Sequence, residues 1–254
     1  MRLRVLGCSG GIGGELRTTS LLVDDDILID AGTGVGALTI EQLKDIDHVF
    51  ITHSHLDHIA NLPLMVDSVA RMRDKPVVVY ATEATLAIIR GHIFNWEIWP
   101  DFTRIPNSKN PFMRYQVIEV GKPIDLGGRV ITAVPAEHVV PAVGYHLDSG
   151  AASLVFTGDT TTNDLLWNYV NGLPDLRYLI IETAFSNEEQ NIAILSKHLC
   201  PTMLAEELQK MRHTPEIYIT HLKPGEIEKT MAEIAECVTC GEPRMLKNEQ
   251  VFNF

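Results

Sequence analysis

Thr52-His53-Ser54-His55-Leu56-Asp57-His58 comes directly after the apolar run Val49-Phe50-Ile51. Three imidazoles and one carboxylate therefore stand between His53 and His58. Neutral ring nitrogens beside an anionic oxygen are donors that borderline divalent metals take. No regular element presents all four side chains together. On a strand, alternation aligns His53, His55 and Asp57 but sends His58 to the opposite face. On a helix, His55 aligns with His58 and His53 with Asp57, and the two pairs diverge. The stretch thus predicts a loop at the end of a buried strand, folded around one or two metal ions.

This motif resembles the His-x-His-x-Asp-His signature of the metallo-β-lactamase superfamily. Its form His53-Ser54-His55-Leu56-Asp57-His58-Ile59 is similar to that of the class II cyclic-nucleotide phosphodiesterases within it. The resemblance implies an α/β fold, the four-layer αββα metallo-β-lactamase sandwich, with the site at strand ends between two halves. Alternating strand and helix patterns along the chain agree with that class.

The chain has 254 residues, 45% of them hydrophobic, and no apolar run approaches bilayer-spanning length. A folded protein without a membrane segment is the expectation. Strand-like sequence from Arg2 leaves no room for a signal peptide, so a cytoplasmic location is expected. The formal charge is −12, and no Lys/Arg-rich run is present. Long nucleic acid is accordingly a poor partner. A small anionic substrate remains compatible, because metal ions supply local positive charge. Four cysteines form no disulfide framework here: Cys237-Val-Thr-Cys240 is read as incidental, Cys8 and Cys200 as small buried residues.

Outward from the motif, Gly7-Cys8-Ser9-Gly10-Gly11-Ile12-Gly13-Gly14 superficially suggests a dinucleotide loop. Such a loop must open a helix. Here it leads into strand-like runs over 18–23 and 27–30 around Asp24-Asp25-Asp26, so these glycines are read as letting backbone approach the metal site. Helices are predicted over 35–46, 61–73, 83–90 and about 200–211, and strands over 2–6, 48–52 and 76–80. The second half echoes the first. Gly128-Arg129-Val130-Ile131-Thr132 parallels the opening strand. Leu154 to Asp159 parallels Ile27-Leu28-Ile29-Asp30, and Ile217-Tyr218-Ile219-Thr220-His221 parallels Val49 to His53. One domain over 1–254 is expected, with pseudo-duplicated halves near 1–125 and 126–254 and an aromatic insertion near 91–115.

Carried over from the family motif, the first metal takes His53, His55 and His138, and the second takes Asp57, His58 and His221, with Asp159 bridging. The resemblance implies two divalent ions, zinc by histidine content, with manganese or iron also suited to bridging oxygen donors. It further implies a hydroxide shared by the metals, held by Asp57 as a catalytic residue. Ile180-Ile181-Glu182-Thr183 and Ser196-Lys197-His198-Leu199 resemble the glutamate–histidine pair of the phosphodiesterase branch. There His198 acts as proton donor, and Glu182 orients it. His92-Ile93-Phe94-Asn95-Trp96-Glu97-Ile98-Trp99-Pro100 is similar to that branch's own insertion. His92, Phe94, Asn95 and Trp99 are taken as substrate-binding, with a lid and a homodimer contact both open.

The implied reaction is hydrolysis of 3′,5′-cyclic nucleotides (cyclic AMP or cyclic GMP) to 5′-nucleotides. A tRNA 3′-processing-type endonuclease and a lactone or thioester hydrolase stand as alternatives. His146 is read as pointing from a strand, and His48 and His213 as structural or exposed.

Overall fold

A computed structural model describes residues 1–254. Its first sheet runs through β1 (Arg2–Gly7), β2 (Ser20–Val23), β3 (Ile27–Ile29), β4 (His48–Phe50), β5 (Val77–Ala81) and β6 (Met113–Val117). The second runs through β7 (Pro123–Asp125), β8 (Val130–Pro135), β9 (Val143–Asp148), β10 (Ser153–Phe156), β11 (Leu176–Glu182), β12 (Glu216–Thr220) and β13 (Arg244–Met245). The last strand, β14 (Val251–Asn253), returns to the first sheet and pairs antiparallel with β1. Each sheet thus has seven strands.

Helices cover the outer faces: α1 (Ile40–Asp45), α2 (Leu56–Ile59), α3 (Leu62–Val69) and α4 (Glu83–His92) on the first sheet. In the second half come α5 (Asp164–Val170), α6 (Gln190–Ser196), α7 (Pro201–Leu208) and α8 (Ile227–Cys237). Strand alternation splits the apolar residues between two layers. In β4, Phe50 enters the core between the sheets, while Val49 faces outward to Val66 of α3 and Leu86 of α4. In the second sheet, Phe156 and Ile180 face inward. Val155 and Leu179 pack outward with Leu166 of α5 and Leu204 of α7. Three buried layers between four structural layers make the αββα sandwich, and each fully buried aliphatic or aromatic side chain contributes about 1.5–3 kcal/mol.

The two sheets share one topology. In order, β14, β1, β2 and β3 are joined antiparallel and β3, β4, β5 and β6 parallel. The series β7 to β13 repeats this, antiparallel up to β10 and parallel beyond. The echoes of β1 in β8 and of β3 in β10 therefore match. The third is displaced by one strand: β11 occupies the place of β4, and β12, which leads to His221, occupies the place of β5. The sheet boundary falls before Pro123, and β14 crosses back, so the two halves are not contiguous at 125/126.

Other local differences have physical causes. The helix expected over 35–46 is divided into a 3₁₀ turn at Thr33–Ala37 and α1. Thr39, extended at φ −71°, caps α1 reciprocally with Gln42. Gly127 and Gly128, at φ +71° and +86°, form a turn, so β8 begins only at Val130.

Both sheets bring the carboxyl ends of their parallel strands to one rim, the usual place for a site in such sheets. Tyr145 reaches across from β9 and donates to the Ile51 carbonyl at 2.8 Å, while its ring meets Phe50 edge-on. This contact ties the second sheet to the residue just before the histidine loop. No helix is long and apolar enough to cross a membrane.

Candidate metal centre

The rim gathers residues from strand ends in both sheets. His53 and His55 lie just beyond β4, and Asp57 and His58 lie in the single-turn α2. His138 lies beyond β8, Asp159 beyond β10, and His221 beyond β12 at φ +64°. Two separate groups result, His53 with His55 and His138, and Asp57 with His58, Asp159 and His221, and a third, His138 with Asp159 and His198, overlaps both. Within each, one ligand-type atom per residue lies within 4.8 Å of all the others. His55 Nδ1 and His138 Nε2 are 3.2 Å apart. Asp159 stands between the groups, with Oδ2 3.7 Å from His53 Nε2 and 3.4 Å from His58 Nε2, and Oδ1 3.2 Å from His221 Nδ1.

These side chains fit a metal pair on two counts. First, His53 Nε2, His58 Nε2, His221 Nδ1 and Asp159 Oδ2 are buried without a hydrogen-bond partner. Four orphaned polar atoms converging on one place are costly unless something binds them. Second, burial keeps several imidazoles neutral, the form that ligates. Burial lowers His53, pushes His138 down to about 4 and His221 to about 3. Burial opposes charge on Asp159 as well, but His221 and His58 beside it hold its carboxyl well below the usual range.

A supporting layer orients the rings. Asp30, fully buried after β3, accepts from the Thr52 amide at 2.8 Å, the Thr52 hydroxyl at 2.8 Å and His58 Nδ1 at 2.7 Å. The Thr52 hydroxyl lies 3.0 Å from His53 Nδ1. Each bond fixes a ring so that its Nε2 faces the site. His138 Nδ1 donates to the Lys197 carbonyl at 3.0 Å. Lys197 caps α6 in the left-handed region at φ +53°, a conformation costing about 1–3 kcal/mol. Sequence reasoning misses the roles of Asp30, Thr52 and Lys197. The one signal for them is the buried-strand ending Ile29-Asp30, the same ending that marks Asp159.

Gly10 shows why the glycine loop is needed. A Cβ there would meet the His221 carbonyl oxygen at 2.4 Å. The loop lies against the segment carrying His221, and His221 in turn donates its amide to the Cys8 carbonyl at 2.8 Å. Cys200 is fully buried. Cys8 is only half-buried, and burial still pushes its thiol up to about 12.

His198 joins the same cluster. Its ring centroid lies 4.9 Å from that of His138 and 5.1 Å from that of His221, so it faces both groups. Its Nδ1 donates to Glu182 Oε1 at 2.6 Å, and Glu182 is fully buried at the end of β11. Burial works against an imidazolium here, but the Glu182 carboxylate outweighs it and raises the His198 pKa. Cys200 occupies the N-cap position of α7 without a side-chain cap.

The aromatic insertion lies elsewhere. Helix α4 starts beside the rim at Thr82 and runs ten residues away from it, about 15 Å. The chain then re-enters the sheet at Met113, level with Val77 at the far end of β5. Phe94 is buried in the outer layer with Phe102, and Trp99 is half-buried against the same layer. The Asn95 side chain accepts from the Glu97 and Ile98 amides, which closes a turn. His92 ends α4, exposed to solvent. The structure therefore does not bring His92, Phe94, Asn95 or Trp99 to the histidine cluster: apolar burial beneath α4 took the aromatic faces expected to meet substrate. Trp96 and Ile98 remain exposed at the loop tip.

A two-sheet αββα sandwich with paired His/Asp groups on its carboxyl rim defines a protein built to hold divalent metal. A family model described as the beta-lactamase superfamily domain matches residues 25–238, and the chain belongs to that superfamily. It is similar to a probable 3′,5′-cyclic-nucleotide phosphodiesterase of Yersinia pestis, 26% identical over 206 residues, 72% of this chain and 58% of that protein. It is also similar to a ribonuclease Z of Methanopyrus kandleri, 25% identical over 154 residues, 58% of this chain and 50% of that protein. The matches thus span only about half to three-fifths of the length of these relatives. Among solved structures, unliganded yeast PDE1 superposes with a TM-score of 0.83 at 16% identity, covering 100% of this chain and 99% of that one. This last likeness concerns the fold.

Proposed function

We propose that the chain is a metal-dependent phosphodiesterase that opens 3′,5′-cyclic nucleotides to 5′-nucleotides. The observation carrying this reading is the Glu182–His198 pair, set against both ligand groups at once. A cyclic phosphodiester expels a ribose alkoxide, a poor leaving group that needs a proton. His198, whose protonated form Glu182 favours, is the group in place to give it.

His53, His55 and His138 would hold one divalent ion and Asp57, His58 and His221 the other, with Asp159 shared. Histidine-rich ligation favours zinc, and the carboxylates also suit manganese or iron. Such a pair would supply Lewis-acid polarisation of the phosphoryl group and would make a water acidic enough to give a hydroxide nucleophile near neutral pH. Asp57 is the more accessible of the two carboxylates, its side chain 27% exposed against 3% for Asp159. It is the one that accepts a hydrogen bond from the attacking water. His198 Nε2–H delivers the proton to the departing 3′ oxygen, while Nδ1 stays on Glu182.

Similarity to a ribonuclease Z supports a second reading, a tRNA 3′-processing-type endonuclease, which would use the same pair. The net charge of −12 counts against a polyanionic substrate. A lactone or thioester hydrolase would have no need of His198. The test is hydrolysis of cyclic AMP by zinc- or manganese-loaded protein, with products separated by chromatography. Formation of 5′-AMP without 3′-AMP supports the proposal. Cleavage of tRNA precursors alone, or of acyl esters alone, moves the function to the corresponding alternative.

A further inference from the structure

His138 faces two ways. On one side it belongs to the first ligand group, its ring edge-on to His53 and His55 at 5.0 and 4.9 Å. On the other it forms part of the wall of a cleft of about 390 Å³. That wall comes from three separate segments: Thr82 before α4, Val120 after β6, and the β8–β9 connection from Ala136 to Val143. The volume falls within the range of small-molecule sites.

The wall is more apolar than polar, six of its ten residues being hydrophobic. Val120 and Val139 are each 49% exposed, and Val140, Pro141 and Ala142 continue the same surface. The polar members are already engaged. Thr82 Oγ1 accepts from the Thr85 amide at 3.2 Å, the Thr85 hydroxyl reaches the Pro141 carbonyl at 3.3 Å, and the Glu137 carboxylate is paired with Lys197. The cleft therefore offers a ligand apolar contact directly beside a metal-type histidine.

Resting on the phosphodiesterase reading above, we propose that this cleft, and not the aromatic insertion, holds the nucleoside part of the substrate, with the phosphoryl group at the histidine cluster. Val120 and Val139 are its specificity-determining residues. An apolar wall grips the faces of base and sugar and distinguishes ligands by size more than by base edge. Cyclic AMP and cyclic GMP are therefore turned over with kcat/KM values within about fivefold of each other.

The test is calorimetric titration of the zinc-loaded full chain with adenosine 5′-monophosphate and with ribose 5-phosphate. The nucleotide binds about tenfold more tightly or better, as burial of the base face requires. In the Val120→Ser/Val139→Ser double variant the difference shrinks below about threefold, while zinc content and thermal stability stay unchanged, since both positions are half-exposed. KM for cyclic AMP rises in that variant. Equal affinities for the two ligands in the wild type, or an unchanged KM in the variant, overturn the assignment while cyclic AMP hydrolysis leaves the phosphodiesterase reading standing. A protein that neither hydrolyses cyclic AMP nor binds either ligand overturns both.

Discussion

Asp30 Oδ2 and His58 Nδ1 are joined by a 2.7 Å hydrogen bond between two side chains with no solvent exposure. The bond spans 28 residues of sequence and links the end of β3 to α2, the turn that follows the adjacent parallel strand β4. It leaves His58 Nε2 as the free nitrogen facing Asp159. Asp30→Asn keeps the shape but cannot accept from the Thr52 amide, the Thr52 hydroxyl and His58 together. Metal affinity falls about 10–100-fold, as for other partners of ligating histidines. Competition against a chromogenic chelator reads this directly, and an unaltered dissociation constant removes Asp30 from the site.

Asp159 touches both ligand groups, so its loss separates them. Asp159→Ala protein retains at most one tightly held ion where the wild type holds a pair. Elemental analysis after gel filtration measures the ratio. A second ion retained at full occupancy contradicts the shared role.

His198 lies beside the cluster, and its role as proton donor separates turnover from metal content. His198→Ala keeps its metal content but loses about 10²–10⁴-fold in turnover of cyclic AMP. The loss is smaller for bis-p-nitrophenyl phosphate, whose leaving group needs no proton. Comparable losses on both substrates point to a positioning role instead.

The pH profile carries a sign. The His198 pKa is raised above its ordinary value of 6.5, because Glu182 outweighs the opposing effect of burial. An acid must be protonated, so turnover falls as pH rises through the elevated pKa, and the alkaline limb lies above that of an ordinary histidine. Glu182→Gln removes the strongest effect favouring the imidazolium and leaves burial and Lys223 opposed only by Asp159. The alkaline limb then moves to lower pH, which stopped assays across about pH 5–10 detect; a stationary limb separates the two residues.

Gly10 is a steric requirement, since its Cβ would meet the His221 carbonyl oxygen at 2.4 Å. Gly10→Ala forces the loop off His221. Thermal stability drops by several degrees, as about 1–3 kcal/mol of strain implies for a chain of this size. Metal affinity falls with it, and an unperturbed melting temperature would show that the loop yields freely.

Much of this is legible before folding. A histidine-rich motif after an apolar strand can be read from local order, because four ligand-type residues so close together have few other uses. His138, Asp159 and His221 are separately unremarkable, and only the order of the motifs links them. The Glu182–His198 pair is legible in the same way. Asp30 is not, although it ends a strand just as Asp159 does, because a buried acid's partners lie on other strands and leave no local trace.

The aromatic insertion goes the other way. Phe94 and Trp99 look like a ligand platform in sequence, but aromatic faces serve a core as well as a base, and composition does not distinguish the two. Strand and loop character, the ligand chemistry and the family are all written in the chain itself, since these depend on residue type and short spacing. Four features are not: that β12 stands where β5 does, that β14 closes the first sheet, that Asp30 orients His58, and that valines rather than aromatics border His138. Each of these rests on contacts between residues far apart in the chain, within an assembled sheet or across the rim, which exist only in the folded protein.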